Sequence, residues 1–123
     1  MKKMFLVVLV VLMIPIVSAK TYTKSECKNY AYKQVIKRGW SKQDYNNLVK
    51  LYQKESGWNA RAVNKRSGAC GVCQASPCSK MKKYGKDYRT NCKVQINWGI
   101  SYIQKRYKNP TRAWAFWKKH HWY

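Results

Sequence analysis

The chain has 123 residues, with 26 Lys and Arg against four Asp and Glu, giving a formal net charge of +22. That length fits one domain with a modest core, and an apolar content of 46% with 15% aromatics argues against intrinsic disorder despite the charge. So large a positive balance points to a polyanionic partner or to electrostatic steering.

Lys2 and Lys3 precede an apolar run over residues 4–17, broken by Pro15, and Val17-Ser18-Ala19 puts small or apolar residues at the −3 and −1 positions before Lys20. This is the pattern of a signal peptide over residues 1–19, leaving a domain over residues 20–123. The competing reading, an uncleaved anchor, is disfavoured because the run is shorter than the roughly 18 residues a spanning helix needs. Without Lys2 and Lys3, twenty-four basic residues still face four acids, a net +20. Export argues against intracellular nucleic acid as the partner and leaves anionic membrane or wall polymers.

All five cysteines, Cys27, Cys70, Cys73, Cys78 and Cys92, lie in the exported part. They suggest a disulfide framework with one thiol left over. Spacing alone does not choose among the pairings. The expectation is Cys78 to Cys92, whose loop of about 15 residues is worth about 3 kcal/mol by chain entropy. Cys27 would then reach Cys70 or Cys73. A zinc site on Cys70, Cys73, Cys78 and Cys92 is disfavoured because the second pair lacks close spacing. No metal and no cofactor is expected.

The first helix is expected over residues 25–38, with Ser25 as N-cap and Glu26 in the first turn, where the helix dipole favours negative charge. Cys27, Tyr30, Ala31 and Val35 make its inward stripe, and Gly39 stops it. The second begins at Ser41, with Asp44 three residues on in a capping-box arrangement. Its apolar face is Tyr45, Leu48, Val49 and Tyr52. Glu55 follows Tyr52 by three residues and Leu48 by seven, so it shares that face before Gly57 ends the helix. Partial burial and the negative end of the dipole both disfavour its anion, which moves its pKa toward what a general acid needs near neutrality. An ordinary surface glutamate at a helix end is the alternative reading of the same spacing.

Residues 58–67 are polar and irregular. In Ser67-Gly68-Ala69-Cys70-Gly71-Val72-Cys73-Gln74-Ala75, two glycines precede Gln74, which suggests a tight turn leading into a short helix. Residues 79–88 are Lys-rich and read as solvated surface, with Asp87 a local charge partner. A third helix starts at the N-cap Asn91 and runs to Tyr107, with Cys92, Ile96, Gly99, Ile100, Ile103 and Tyr107 as its buried stripe. Gly99 in mid-helix costs about 1 kcal/mol relative to Ala, which implies a close approach there. Trp98 and Tyr102 lie on an adjacent face, as secondary core or as a cleft wall. Asn109-Pro110-Thr111 caps a final helix reaching Lys119, and Trp114, Phe116, Trp117, Trp122 and Tyr123 make the tail aromatic. His120 and His121, beside two lysines, read as an exposed basic end. The fold class is mainly α, with little or no sheet and disulfide stabilisation.

Three stretches, taken as an ordered set, resemble the lytic transglycosylase branch of the lysozyme-like superfamily. They are Glu55-Ser56-Gly57-Trp58-Asn59, Gly68-Ala69-Cys70-Gly71-Val72-Cys73-Gln74-Ala75 and Trp98-Gly99-Ile100-Ser101-Tyr102-Ile103. The nearest likeness is to small secreted cell-wall domains of Gram-positive bacteria. Ser79-Lys80-Met81, Thr90-Asn91, Gln95-Ile96 and His121-Trp122-Tyr123 extend the similarity over residues 48–123. The resemblance implies a lysozyme-like helical domain with Glu55 as the single catalytic acid and base. It implies that Ser56 orients the glutamate or the substrate, that Gln74 contacts a sugar, and that Tyr102 holds the glutamate or the sugar, with Trp98 beside it on the substrate wall. Cys70 and Cys73 depart from the family pattern, and a bridge between them would strain the turn bearing Gln74.

A glycosidase with two carboxylates needs a second acid in the cleft. Glu26 and Asp44 have capping explanations, and Asp87 sits in a Lys-rich loop. The family pathway needs only one: Glu55 protonates the oxygen between N-acetylmuramic acid and N-acetylglucosamine, then acts as base on the sugar's own 6-hydroxyl to give a 1,6-anhydro product. Two alternatives stay open: a lysozyme-type hydrolase, with Asp87 the group to test, and a non-catalytic cationic protein that binds wall or membrane. The expected partners are peptidoglycan glycan strands and anionic wall polymers, not nucleic acid. The chain is expected to be a secreted monomer.

Overall fold

The structure, a computed structural model, describes residues 20–123. The signal-peptide expectation for residues 1–19 lies outside the described residues. The chain folds into helices α1 (Lys24–Lys37) and α2 (Lys42–Ser56), a short 3₁₀ helix (Cys78–Tyr84), then α3 (Cys92–Tyr107) and α4 (Pro110–His120). Among the described residues, extended pairing is limited to isolated bridges, Val63 with Cys70 and Cys70 with Ala75. The mainly α, disulfide-stabilised class is the one the sequence implied.

Local chemistry sets the helix starts. The N-cap of α1 is Thr23 rather than Ser25: the Thr23 hydroxyl accepts from the Glu26 N–H at 3.1 Å, and Glu26 Oε1 accepts from the Thr23 N–H at 3.2 Å. Ser25, adjacent to Glu26, lacks the three-residue spacing that this reciprocal pair requires. Ser41 and Asp44 form the same box at the start of α2, at 3.0 and 2.9 Å. The second Asp44 oxygen accepts the Thr111 hydroxyl at 2.6 Å, which pins the start of α4 to α2. Gly57 closes α2 in the left-handed region, at φ 60°.

The core joins Cys27, Ala31 and Val35 of α1 to Leu48, Leu51 and Tyr52 of α2, and to Ile96, Ile100 and Ile103 of α3. Residues 79–88 are not wholly solvated surface as expected. The 3₁₀ helix buries Met81 completely while Lys80, Lys82 and Lys83 stay exposed. Asp87 accepts from the Asn91 side-chain amide at 2.9 Å, so its close partner is the N-cap of α3.

The cysteines pair as Cys27–Cys92 and Cys70–Cys78, with Cys73 free and buried. The expected Cys78–Cys92 bridge therefore does not form, and Cys27 reaches neither Cys70 nor Cys73. The reason is helix packing: Cys27 and Cys92 both stand on inward stripes of helices that lie against each other, a proximity that sequence separation does not reveal. With Cys70, Cys78 and Cys92 in bridges, the zinc reading loses three of its four ligands. Cys70 and Cys73 do not pair either.

Gly99 is where α3 comes closest to its neighbours. A Cβ there would overlap the Tyr52 hydroxyl and meet Cys73 Cβ at 3.0 Å. Helix propensity alone would have Gly99→Ala gain about 1 kcal/mol. The overlap reverses the sign: we expect a loss of about 1–3 kcal/mol, read as a lower denaturation midpoint in urea. A midpoint equal to or above that of the parent protein would refute this packing.

Candidate active site

Glu55 stands in the last turn of α2, half-buried, where Gly57 ends the helix. Its Oε1 accepts the indole N–H of Trp117, from α4, at 2.8 Å. Burial pushes its carboxyl pKa up, and the Trp117 bond pulls more weakly the other way. The carboxylate opens into a cleft of about 230 Å³ lined by Asn64, Ser67, Gln74, His121, Trp122 and Tyr123, among others.

The irregular segment that forms the far wall is held by side-chain bonds. The Ser56 hydroxyl donates to the Val72 carbonyl at 2.7 Å, tying the end of α2 to the glycine turn. Gln95, fully buried on α3, accepts the Val72 N–H and donates to the Ala60 and Tyr88 carbonyls, all at 2.9 Å. Gly71 makes room for it, since a Cβ would lie 2.6 Å from the Gln95 amide carbon. Gln74 sits at φ 54°, and its Nε2 donates to the Ala62 and Gly71 carbonyls at 3.2 and 3.0 Å.

Glu55 and Gln74 thus share one cleft. Ser56 is adjacent in sequence, but its hydroxyl is turned to the Val72 carbonyl and it is not among the cleft residues. Trp98 and Tyr102, on α3, stack at 5.0 Å and 15° and line a neighbouring depression of about 90 Å³. Gln74, Ser76 and Tyr123 line both hollows, which places them side by side. The Tyr102 hydroxyl accepts from Arg106 at 3.3 Å.

Two residues beside the cleft were given no individual role by the sequence. Trp117 is one; the signal for it was its place four residues after the buried Ala113. Tyr123 is the other: its hydroxyl donates to the Cys73 carbonyl at 2.6 Å, and its ring meets that of Tyr102 at 5.6 Å. Burial pushes the Tyr123 hydroxyl well above its ordinary value and the Cys73 thiol up to about 12, so both stay protonated near neutrality. His120 and His121 are exposed, as expected, with His121 in the left-handed region at φ 60°.

A family model described as the transglycosylase SLT domain matches residues 34–118. The chain belongs to the transglycosylase SLT family. No curated protein and no solved structure matches it significantly. This is a lysozyme-like family of lytic transglycosylases, and membership supports a lytic transglycosylase-type action on peptidoglycan. The match to the SLT domain takes in Glu55, Ser56, Gln74, Trp98, Tyr102 and Trp117, and stops short of His121, Trp122 and Tyr123.

The raised Glu55 pKa has a consequence for stability. The unfolded carboxyl titrates near its reference value of about 4.3. Because the folded value lies above this, the buried anion penalises the fold at neutral pH, and the penalty disappears as pH falls through the folded pKa toward the unfolded one. Glu55→Gln keeps an oxygen for Trp117 and removes the charge. We expect it to melt higher than the parent at about pH 7, with the difference closing near pH 4. Thermal unfolding of both proteins across that range checks this; a mutant no more stable at neutral pH would contradict it.

Proposed function

We propose that the chain is a secreted lytic transglycosylase that cleaves the β-1,4 bond between N-acetylmuramic acid and N-acetylglucosamine, with Glu55 as the single catalytic acid and base. One observation carries this reading: Glu55 is the only carboxylate side chain among the residues lining its cleft, and the other three acids have local partners elsewhere. Glu26 caps α1, Asp44 caps α2 and holds Thr111, and Asp87 bonds Asn91. A mechanism with two carboxylates requires them to flank the bond, and this cleft offers one.

The steps follow from that census. Protonated Glu55 gives its proton to the glycosidic oxygen. The bond from that oxygen to the anomeric carbon breaks, and its electron pair stays on the departing sugar. The 6-hydroxyl oxygen of the muramyl residue bonds the anomeric carbon, and its proton passes to the Glu55 carboxylate. The acid is restored and the product carries a 1,6-anhydro ring. Burial that favours the neutral carboxyl suits the first step. Gln74 contacts a sugar from the turn, and the Trp98–Tyr102 stack offers an aromatic face to a second. Ser56 acts through Val72, by keeping the turn beside the acid. The signal-peptide pattern of residues 1–19 directs export, and the positive charge holds the monomeric enzyme on anionic wall polymers.

Mass spectrometry of digested peptidoglycan tests the reaction. Wild-type protein should release anhydro-muropeptides, and Glu55→Gln should lose at least about a hundredfold in rate. Reducing ends alone would identify a hydrolase, and a fully lytic Glu55→Gln protein would exclude enzymatic cleavage. Raising salt from about 0.1 to 1 M shortens the screening length from about 10 to 3 Å and should release the protein from purified walls; binding indifferent to salt would refute charge-based anchoring.

A further inference from the structure

The bond between Trp117 and Glu55 constrains where a proton can sit. An indole N–H is a donor only. It meets Glu55 Oε1 at 2.8 Å in a partly buried contact. In a neutral carboxyl group the carbonyl oxygen is the better acceptor, and the hydroxyl oxygen carries a hydrogen of its own. The indole therefore favours the form with the carbonyl at Oε1 and the hydroxyl at Oε2. We propose that Trp117 is a positioning residue that fixes the proton of Glu55 on Oε2, so that one oxygen both gives the proton and takes the next one. This rests on the reading of Glu55 as the acid and base.

The ring is held firmly enough to impose the choice. Trp114 stacks on Trp117 at 5.4 Å and 10°. The start of α4 is tied to α2 through Thr111, whose hydroxyl donates to Asp44 and accepts from Asn47 at 2.9 Å. The same donor favours the anion over the acid, because a hydrogen bond to a charged oxygen is the stronger. It thus eases departure of the proton while leaving Oε2 free to receive another.

Other titratable groups face Glu55: Tyr52 from its own helix, Cys73 from the glycine turn, and Tyr123 and His121 from the tail. Burial keeps Tyr52, Cys73 and Tyr123 neutral near neutrality. Among the described residues, His121 is the only basic side chain lining the cleft. The test is therefore made in a His121→Asn background, since asparagine tolerates the left-handed backbone there.

The experiment follows the Glu55 carboxyl carbon and the Trp117 indole N–H by NMR while pH is varied, alongside steady-state kinetics on peptidoglycan. The indole signal should move with the same midpoint as the carboxyl. Trp117→Phe, which keeps an aromatic ring and removes the donor, should raise the Glu55 midpoint and move the alkaline limb of the pH–rate profile upward. It should lower kcat about tenfold with KM little changed. An indole signal indifferent to Glu55, or a midpoint unmoved by Trp117→Phe, would overturn the proposal. If Trp117→Phe does not fold, the titration with Trp117 intact decides alone. A protein that cleaves no glycan would sink the functional reading, while the NMR titration would still decide the coupling.

Discussion

The buried amide of Gln95 is the constraint on which the site depends. Between α2 and α3 the chain runs through more than thirty residues with little regular structure, and buried backbone there must find partners. One side chain supplies three of them, to Ala60, Val72 and Tyr88. An apolar residue in its place would leave those groups unpaired, at about 1–3 kcal/mol each. Gly71 is the matching requirement on the other side, because any side chain there would occupy the space of the amide. Together they set the glycine turn at one height along α3.

That placement transmits to the acid by a short route. Ser56 binds the Val72 carbonyl, so the end of α2 is fixed to the same turn that Gln95 fixes to α3. Glu55 and Gln74 face one cleft as a result, although neither side chain hydrogen-bonds Gln95. The second wall comes from the far end of the chain. Asp44 and Asn47 hold Thr111 at the start of α4, which carries Trp117 to Glu55, and the tail beyond it brings Tyr123 to the Cys73 carbonyl.

What was legible in the sequence was local or periodic. Ser41, Asn91 and Asn109 announce their helices because a cap is a contact within three residues, and the α3 stripe repeats through four turns. Gly99 was legible as a close approach because it is costly without one. Glu55, the proposed acid, stood out in the sequence by its scarcity and its helical face. Contacts that span the chain left little trace. Cys27 finds Cys92 across 65 residues, and Trp117 finds Glu55 across 62. Six tryptophans in one chain gave no reason to single out Trp117 from its type. Met81 was hidden for the opposite reason: its lysine neighbours made a buried residue look like surface.

The distribution of charge has its own logic. The chain carries 26 Lys and Arg, yet among the described residues none of them lines the Glu55 cleft. An ammonium or guanidinium within a few ångströms would favour the carboxylate and draw its pKa down. Asn64, Ser67, Gln74 and Tyr123 carry no positive charge, which leaves His121 as the one basic side chain among the described lining residues, and burial acts on Glu55 in the other direction. The neighbouring hollow, one step from the acid, already admits Lys80. Among the described residues, a lysine thus lines the neighbouring hollow while the walls around Glu55 carry no Lys or Arg. On the proposed reading, the same residue type that would draw the protein to a wall would disable its acid, so the separation of the two in space suits both roles.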